Sequence, residues 1–124
     1  MLTIFIVDDN RLFSETLKEI IVSAYPSAVI REFPNGEYVM TEIESESPNL
    51  IFMDINLPGS DGLVLTRSIK EKNSILPVVV ITNYDSAEYT KAAIDAGADY
   101  FISKNTITIN EIINLVGTFI DTST

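Results

Sequence analysis

An apolar run, Leu50-Ile51-Phe52-Met53, stops on a carboxylate, Asp54, and is followed by Asn56-Leu57-Pro58-Gly59-Ser60-Asp61-Gly62. Proline and glycine break a strand and mark a turn. A short apolar run between turn residues fits a buried strand of a parallel sheet. Such a strand delivers its last side chain to the carboxyl edge of the sheet, where open α/β sheets bind ligands. Asp54 is therefore a candidate reactive group held on a rigid strand end. Three further apolar runs end in the same way. Leu2 to Val7 stops on Asp8-Asp9, Pro77 to Ile81 on Thr82, and Tyr100 to Ser103 on Lys104. Taken singly, each has a plain explanation: Asp8 or Asp9 as a helix cap, Thr82 as a strand former, Lys104 as a surface lysine. One polar group at every strand end is a poor fit to chance.

Gathered on one rim, these residues call for a cation. Two like charges ~4 Å apart repel by roughly 4 kcal/mol at a near-surface dielectric, so three carboxylates do not share a rim cheaply. The chain has no histidine and no cysteine. That removes disulfides, thiol nucleophiles, imidazole bases and Cys/His zinc sites. The ion must be hard and bound by oxygen, which points to Mg²⁺ (or Mn²⁺), with room left for a phosphate. Lys104 adds a fixed positive charge and Thr82 a donor. The set suits a phosphoryl group, with Asp54 as the nucleophile that takes it as an acyl phosphate. No glycine-rich nucleotide loop is present, so the donor must come from outside.

The elements that would position these groups alternate along the chain. The first helix carries Phe13, Leu17, Ile20, Ile21 and Ala24 at helical spacing, with Asn10 able to cap it and Pro26 ending it. A weaker strand, Ala28 to Phe33, alternates with Arg31 as an edge strand does. After the turn at Pro34-Asn35-Gly36, a helix over about 37–44 buries Val39, Met40 and Ile43. Its acidic side, Glu37, Glu42, Glu44 and Glu46, reads as a solvated face. Residues 62–72 form a helix burying Leu65 and Ile69. Pro77 to Thr82 is uniformly apolar and should be buried on both faces. A helix then starts near Ser86 and ends at Gly97. The last helix opens on the capping box Thr108-Ile109-Asn110-Glu111 and buries Ile109, Ile112, Ile113, Val116 and Ile120. Asp121 to Thr124 is a polar tail. The order is βα five times over, a doubly wound parallel sheet. The flavodoxin-like strand order 2-1-3-4-5 places the weakest strand at an edge. Residues 1–124 form a single domain.

Composition narrows the setting. The apolar fraction is 46% and the charged fraction 21%, an ordinary globular balance. A net charge of -10 repels nucleic-acid phosphates and anionic membrane surfaces. The apolar N-terminal run is too short for a signal core or a membrane span, and a cytoplasmic protein is expected.

At these residues the chain resembles the receiver (CheY-like) domains of bacterial two-component response regulators. The resemblance rests on Ile6-Val7-Asp8-Asp9-Asn10, on Met53 through Gly62, on Pro77 through Thr82 and on Ala96 through Lys104, and it spans the chain. It implies Asp54 as the phosphoacceptor and Asp8 and Asp9 as the acidic pair, with Asp9 the direct Mg²⁺ ligand. It also implies the Asn56 backbone carbonyl as a metal ligand, Thr82 as the switch hydroxyl, Phe101 as the switch aromatic and Lys104 as the phosphate-binding lysine. Phe101 reads equally as core packing on residue type alone. Implied partners are a sensor histidine kinase or phosphotransfer protein, and an output domain or target met through the fourth helix, fifth strand and fifth helix. A homodimer formed on phosphorylation is implied too; direct nucleic-acid or membrane binding is not. Asn105 replaces the usual proline after Lys104, and Asn83 a usual small residue after Thr82. Asn83 and Tyr84 flank the site, where, with Asn56, phosphoryl lifetime is tuned. Asp8-Asp9-Asn10-Arg11-Leu12-Phe13 and Lys104-Asn105 look like the subfamily with a helix-turn-helix output, so the chain would be complete or the N-terminal part of a longer regulator. Two other readings compete. An Mg²⁺-dependent aspartyl-phosphate phosphatase would need an aspartate where Asn56 stands. A flavin carrier would need a phosphate cradle where Asp8-Asp9 stands.

Overall fold

The computed structural model describes residues 2–121; of the tail expected at 121–124, residues 122–124 lie outside them and Asp121 closes the last helix. Five strands form one parallel sheet: β1 (Thr3–Val7), β2 (Val29–Phe33), β3 (Leu50–Met53), β6 (Val78–Thr82) and β7 (Tyr100–Ser103). Their spatial order is β2-β1-β3-β6-β7, which is 2-1-3-4-5 when the strands of this sheet alone are counted. This is the flavodoxin-like arrangement. The apolar runs at β1, β3 and β6 are buried along their whole length, as central strands covered on both faces must be. Edge strand β2 exposes Val29 and Glu32.

Helices cover both faces. On one, Leu17 and Ile21 of α1 (Arg11–Ala24) and Ile112, Leu115 and Val116 of α5 (Ile109–Asp121) pack against Ile4, Ile6, Leu50, Phe52, Val79, Ile81 and Ile102. On the other, Val39 of α2 (Val39–Glu46) and Ile69 of α3 (Gly62–Lys72) meet Phe5, Val7, Ile51, Met53 and Val78. Ala93 of α4 (Ala87–Asp95) meets Ile55 and Val80. Strand residues alternate between the two clusters because successive side chains point to opposite faces.

Local chemistry sets the helix ends. Asn10 Oδ1 accepts from the Phe13 backbone N–H at 3.0 Å, Asp61 Oδ1 from that of Leu63 at 2.8 Å and Thr108 Oγ1 from that of Glu111 at 3.1 Å. Gly97, with φ +99, ends α4. No helix among the described residues is long and apolar enough to cross a membrane.

Four details differ from the sequence reading. Residues 56–61 are a small antiparallel ribbon, β4 (Asn56–Leu57) and β5 (Ser60–Asp61), turning on Gly59 at φ +66. Helix α2 runs from 39 to 46, because Asn35 Oδ1 takes the Glu37 N–H at 2.9 Å and holds residues 35–38 in a turn. The acidic side of α2 is partly engaged: Arg31 on β2 pairs with Glu42 at 3.7 Å and with Glu46. Ala24, expected on the buried face of α1, is exposed, and Ile109 is 60% exposed, since each stands at a helix end.

Candidate functional site

Parallel register aligns the ends of β1 and β3. Val7 lies opposite Met53, and the Asp54 N–H donates to the Val7 carbonyl at 2.9 Å. Asp8 and Asp54, one residue past each strand, therefore emerge side by side. On the far side Thr82 pairs with Ser103, and the Lys104 N–H donates to the Thr82 carbonyl at 2.8 Å. Gly62 fixes the other flank. A Cβ there would lie 1.9 Å from the Asp54 carbonyl oxygen, so α3 begins directly against the backbone of the site.

The structure brings Asp8, Asp9, Asp54, Thr82 and Lys104 to the same end of the sheet. Asp9, Asp54, Asn56, Thr82, Asn83, Tyr84, Lys104 and Asn10 line one pocket of about 520 Å³. Lys104 Nζ lies 2.6 Å from Asp8 Oδ2 and 3.1 Å from Asp54 Oδ2, and its side chain is nearly buried. Asp8 Oδ1 accepts from the Asn10 N–H at 2.8 Å, whereas buried Asp8 Oδ2 meets the Lys104 ammonium without a well-angled hydrogen bond. Burial pushes the Asp8 carboxyl up from its ordinary value, and Asp54 adds to this. Lys104 and the Asn10 N–H pull the other way.

Asp8, Asp9 and Asp54 each offer an oxygen within 4.8 Å of the other two. An octahedral Mg²⁺ shell with bonds near 2 Å is about 4 Å across, so small side-chain adjustments close these oxygens on one ion. The donors are all hard oxygens, and three carboxylates face one ammonium. The residues present fit Mg²⁺.

The flanking residues are arranged as follows. Thr82 is fully buried; its Oγ1 accepts from the Tyr84 N–H at 3.2 Å and donates to no group among the described residues. Asn56 donates its backbone N–H to Asp54 Oδ1 at 3.3 Å and its side-chain amide to the Tyr84 hydroxyl at 3.2 Å. Phe101 does not line the pocket. It is half-buried against Ile55, Val80 and Ala93 on the α4 side of the sheet.

Sequence reasoning missed two sets of contacts. The Lys104 ammonium lies 4.4 Å from the centroid of the Phe13 ring, a residue assigned only to the core face of α1. The Lys104 loop is also clasped to the Thr82 loop. Ser103 Oγ donates to Asp85 Oδ2 at 2.6 Å, while the Asn105 amide donates to Asp85 Oδ2 at 3.0 Å and to the Asn83 carbonyl at 3.3 Å. Asn105 in place of proline was the one sequence feature that pointed there.

Known proteins share the sequence pattern and the fold of this chain. The family model for the response regulator receiver domain matches residues 4–116. The chain is similar to the DNA-binding transcriptional regulator NtrC of Salmonella typhimurium, at 29% identity over 91% of this chain and 24% of that protein. It is also similar to protein-glutamate methylesterase/protein-glutamine glutaminase 1 of Saccharophagus degradans, at 38% identity over 82% of this chain and 28% of that protein. The chain thus spans about a quarter of the length of these curated relatives. The crystal structure of a CheY-like receiver domain protein from Methanospirillum hungatei shares the fold, with a TM-score of 0.87 at 24% identity over 98% of this chain and 95% of that one. A parallel sheet whose strand ends gather Asp8, Asp54, Thr82 and Lys104, read together with the match over residues 4–116, makes the chain a member of the response regulator receiver domain family, a signalling module of two-component systems.

Proposed function

We propose that this receiver takes a phosphoryl group on Asp54 from the phosphohistidine of a sensor kinase or phosphotransfer protein. The observation that carries the reading is the meeting of Asp8, Asp9 and Asp54 oxygens within 4.8 Å, with Lys104 Nζ on two of those carboxylates. An Asp54 carboxylate oxygen forms the O–P bond as the P–N bond to the donor imidazole breaks, and the bonding pair leaves with the imidazole nitrogen. Lys104 turns from its carboxylates to the phosphoryl oxygens. Asp8, Asp9, Asp54 and the Asn56 carbonyl are the groups that would hold Mg²⁺ (or Mn²⁺), which when bound supplies neutralisation of phosphoryl charge.

The switch follows from Thr82. Its hydroxyl proton has no acceptor among the described residues, so a phosphoryl oxygen on Asp54 is a new partner that draws the Thr82 loop inward. Phe101 lies across the sheet from Val80, two residues before Thr82 in β6, and repacks with that movement. The output surface is then the side carrying α4, β7 and α5, which expose Ile94, Tyr100 and Ile109. An output domain beyond residue 124, a separate target or a second copy of the chain would read it, controlling an output such as transcription. Asn56, Asn83 and Tyr84 set access of water to the phosphoryl group. The setting is cytoplasmic, and this domain does not itself bind nucleic acid.

Incubation with a small phosphodonor and Mg²⁺ adds one phosphoryl mass to the parent and none to Asp54→Asn. Equal labelling of the two proteins excludes Asp54 as the acceptor. Steady turnover of a phosphomonoester would instead make the protein a phosphatase.

A further inference from the structure

Lys104 has a long, flexible side chain, and holding it in one place costs up to about 2 kcal/mol of rotamer freedom. Its ammonium has three donor directions. Asp8 Oδ2 and Asp54 Oδ2 account for two, and no further oxygen lies within bonding reach among the described residues. The ammonium also lies over the Phe13 ring, whose centroid is 4.4 Å from Nζ. The face of an aromatic ring is negative and attracts a cation, most strongly where water is displaced. Here the Lys104 side chain is 7% exposed, and Phe13 is half-buried, with its body packed on the core beneath α1. The Phe13 N–H is also bonded to Asn10 Oδ1 at 3.0 Å, which ties the ring's backbone to the Asp8-Asp9-Asn10 loop.

We propose that Phe13 is a positioning residue for Lys104, its ring face holding the ammonium at the point between Asp8 and Asp54 where it meets a phosphoryl group. This rests on the phosphoacceptor reading above. The two carboxylates are poor permanent anchors for this purpose. Asp54 changes charge and shape when it becomes an acyl phosphate, and Asp8 is itself a candidate ligand of the divalent ion. Of the three groups Asp8, Asp54 and Phe13, the ring is the one whose charge distribution is the same before and after phosphoryl transfer. An aliphatic side chain at position 13 would fill the same space and leave the ammonium without that anchor.

The test compares Phe13→Leu with Phe13→Tyr, which keeps the ring. In the metal-free parent the Lys104 ε-methylene protons, read by ¹H–¹³C NMR, resonate upfield of the other lysines because they lie over a ring. Phe13→Leu returns them to the ordinary lysine position and slows labelling by a small phosphodonor about three- to tenfold, whereas Phe13→Tyr preserves both. In a double-mutant cycle, Phe13→Leu and Lys104→Met together lower the melting temperature by a few degrees less than the sum of their separate effects. An unchanged Lys104 resonance in Phe13→Leu overturns the proposal. So does additivity in the cycle, which would mean the ring acts by packing alone. If the parent takes up no phosphoryl group, the phosphoacceptor reading fails; the resonance and the cycle still decide, without phosphorylation, whether the ring holds the ammonium.

Discussion

Two lysines in this molecule are almost buried, and their surroundings differ. Lys70, in the last turn of α3, sits toward the amino end of the sheet. Its ammonium donates to the Leu76 carbonyl and to Asp99 Oδ2, both at 2.8 Å. The same Asp99 oxygen accepts from the Val78 N–H at 2.8 Å. One positive charge meets one negative charge, and hydrogen bonds close the set. Lys104, at the carboxyl end, meets two carboxylates with a third nearby, and one oxygen of Asp8 lacks a proper hydrogen bond. The first cluster is balanced and joins α3, β6 and the turn before β7. The second carries an excess of two negative charges, with Asp8 and Asp54 buried and Asp9 exposed, which costs stability unless a cation relieves it. Balance marks a fastener; imbalance marks a place kept ready for something else.

The sharpest way to break this comparison is to remove each ammonium in turn. Lys104→Met takes a charge-assisted hydrogen bond away from the phosphoryl group, and labelling by a small phosphodonor falls about ten- to a hundredfold. Lys70→Met leaves that rate within about twofold but lowers unfolding stability by about 2 kcal/mol. That figure lies below the usual loss for a broken buried pair, because the Asp99 side chain is 33% exposed and water can screen it. Denaturant melts and labelling time courses on the two variants measure both quantities. A Lys70 variant that labels slowly would erase the distinction.

A smaller effect tests the imbalance itself. In the absence of divalent ions Asp54→Asn removes one of three crowded negative charges. The fold gains on the order of 1 kcal/mol, even though the pairing with Lys104 is weakened. Millimolar Mg²⁺ raises the melting temperature of the parent by binding the folded state and so narrows or reverses the difference. A loss of stability in metal-free Asp54→Asn would make Asp54 a structural partner of Lys104, as Asp99 is of Lys70.

Much of this was legible in the chain. Apolar runs that stop abruptly on Asp8, Asp54, Thr82 and Lys104 reveal both the strands and the rim, because a central parallel strand must be apolar until it leaves the sheet. The ribbon at 56–61 was hidden, since two-residue strands carry no periodicity. The end residues of helices were hidden for a related reason: spacing puts Ala24 and Ile109 on apolar faces but does not tell where the sheet beneath them stops. Ion-pair partners were hidden most deeply. Nothing local links Arg31 to Glu46, Lys70 to Asp99 or Phe13 to Lys104, and only the assembled topology selects them.

The clasp beside the site gives the smallest and most specific effect. Asp85 is exposed, yet hydrogen bonds from Ser103 and Asn105 hold its carboxyl below the usual value of 3.8. A depressed folded-state value means that the ionised form is the one the clasp prefers. Its contribution is therefore complete above the unfolded value of 3.8 and is lost as pH falls through the lower folded value. Asp85→Ala melts slightly below the parent at about pH 6, where model carboxylates are ionised, and the gap closes below the ordinary carboxylate range as Asp85 takes up its proton. Paired melting curves across that range measure it. A gap that stays constant as pH falls would mean that the ionised carboxylate carries none of it, and no gap at any pH would mean that the side-chain bonds to Asp85 add nothing in water.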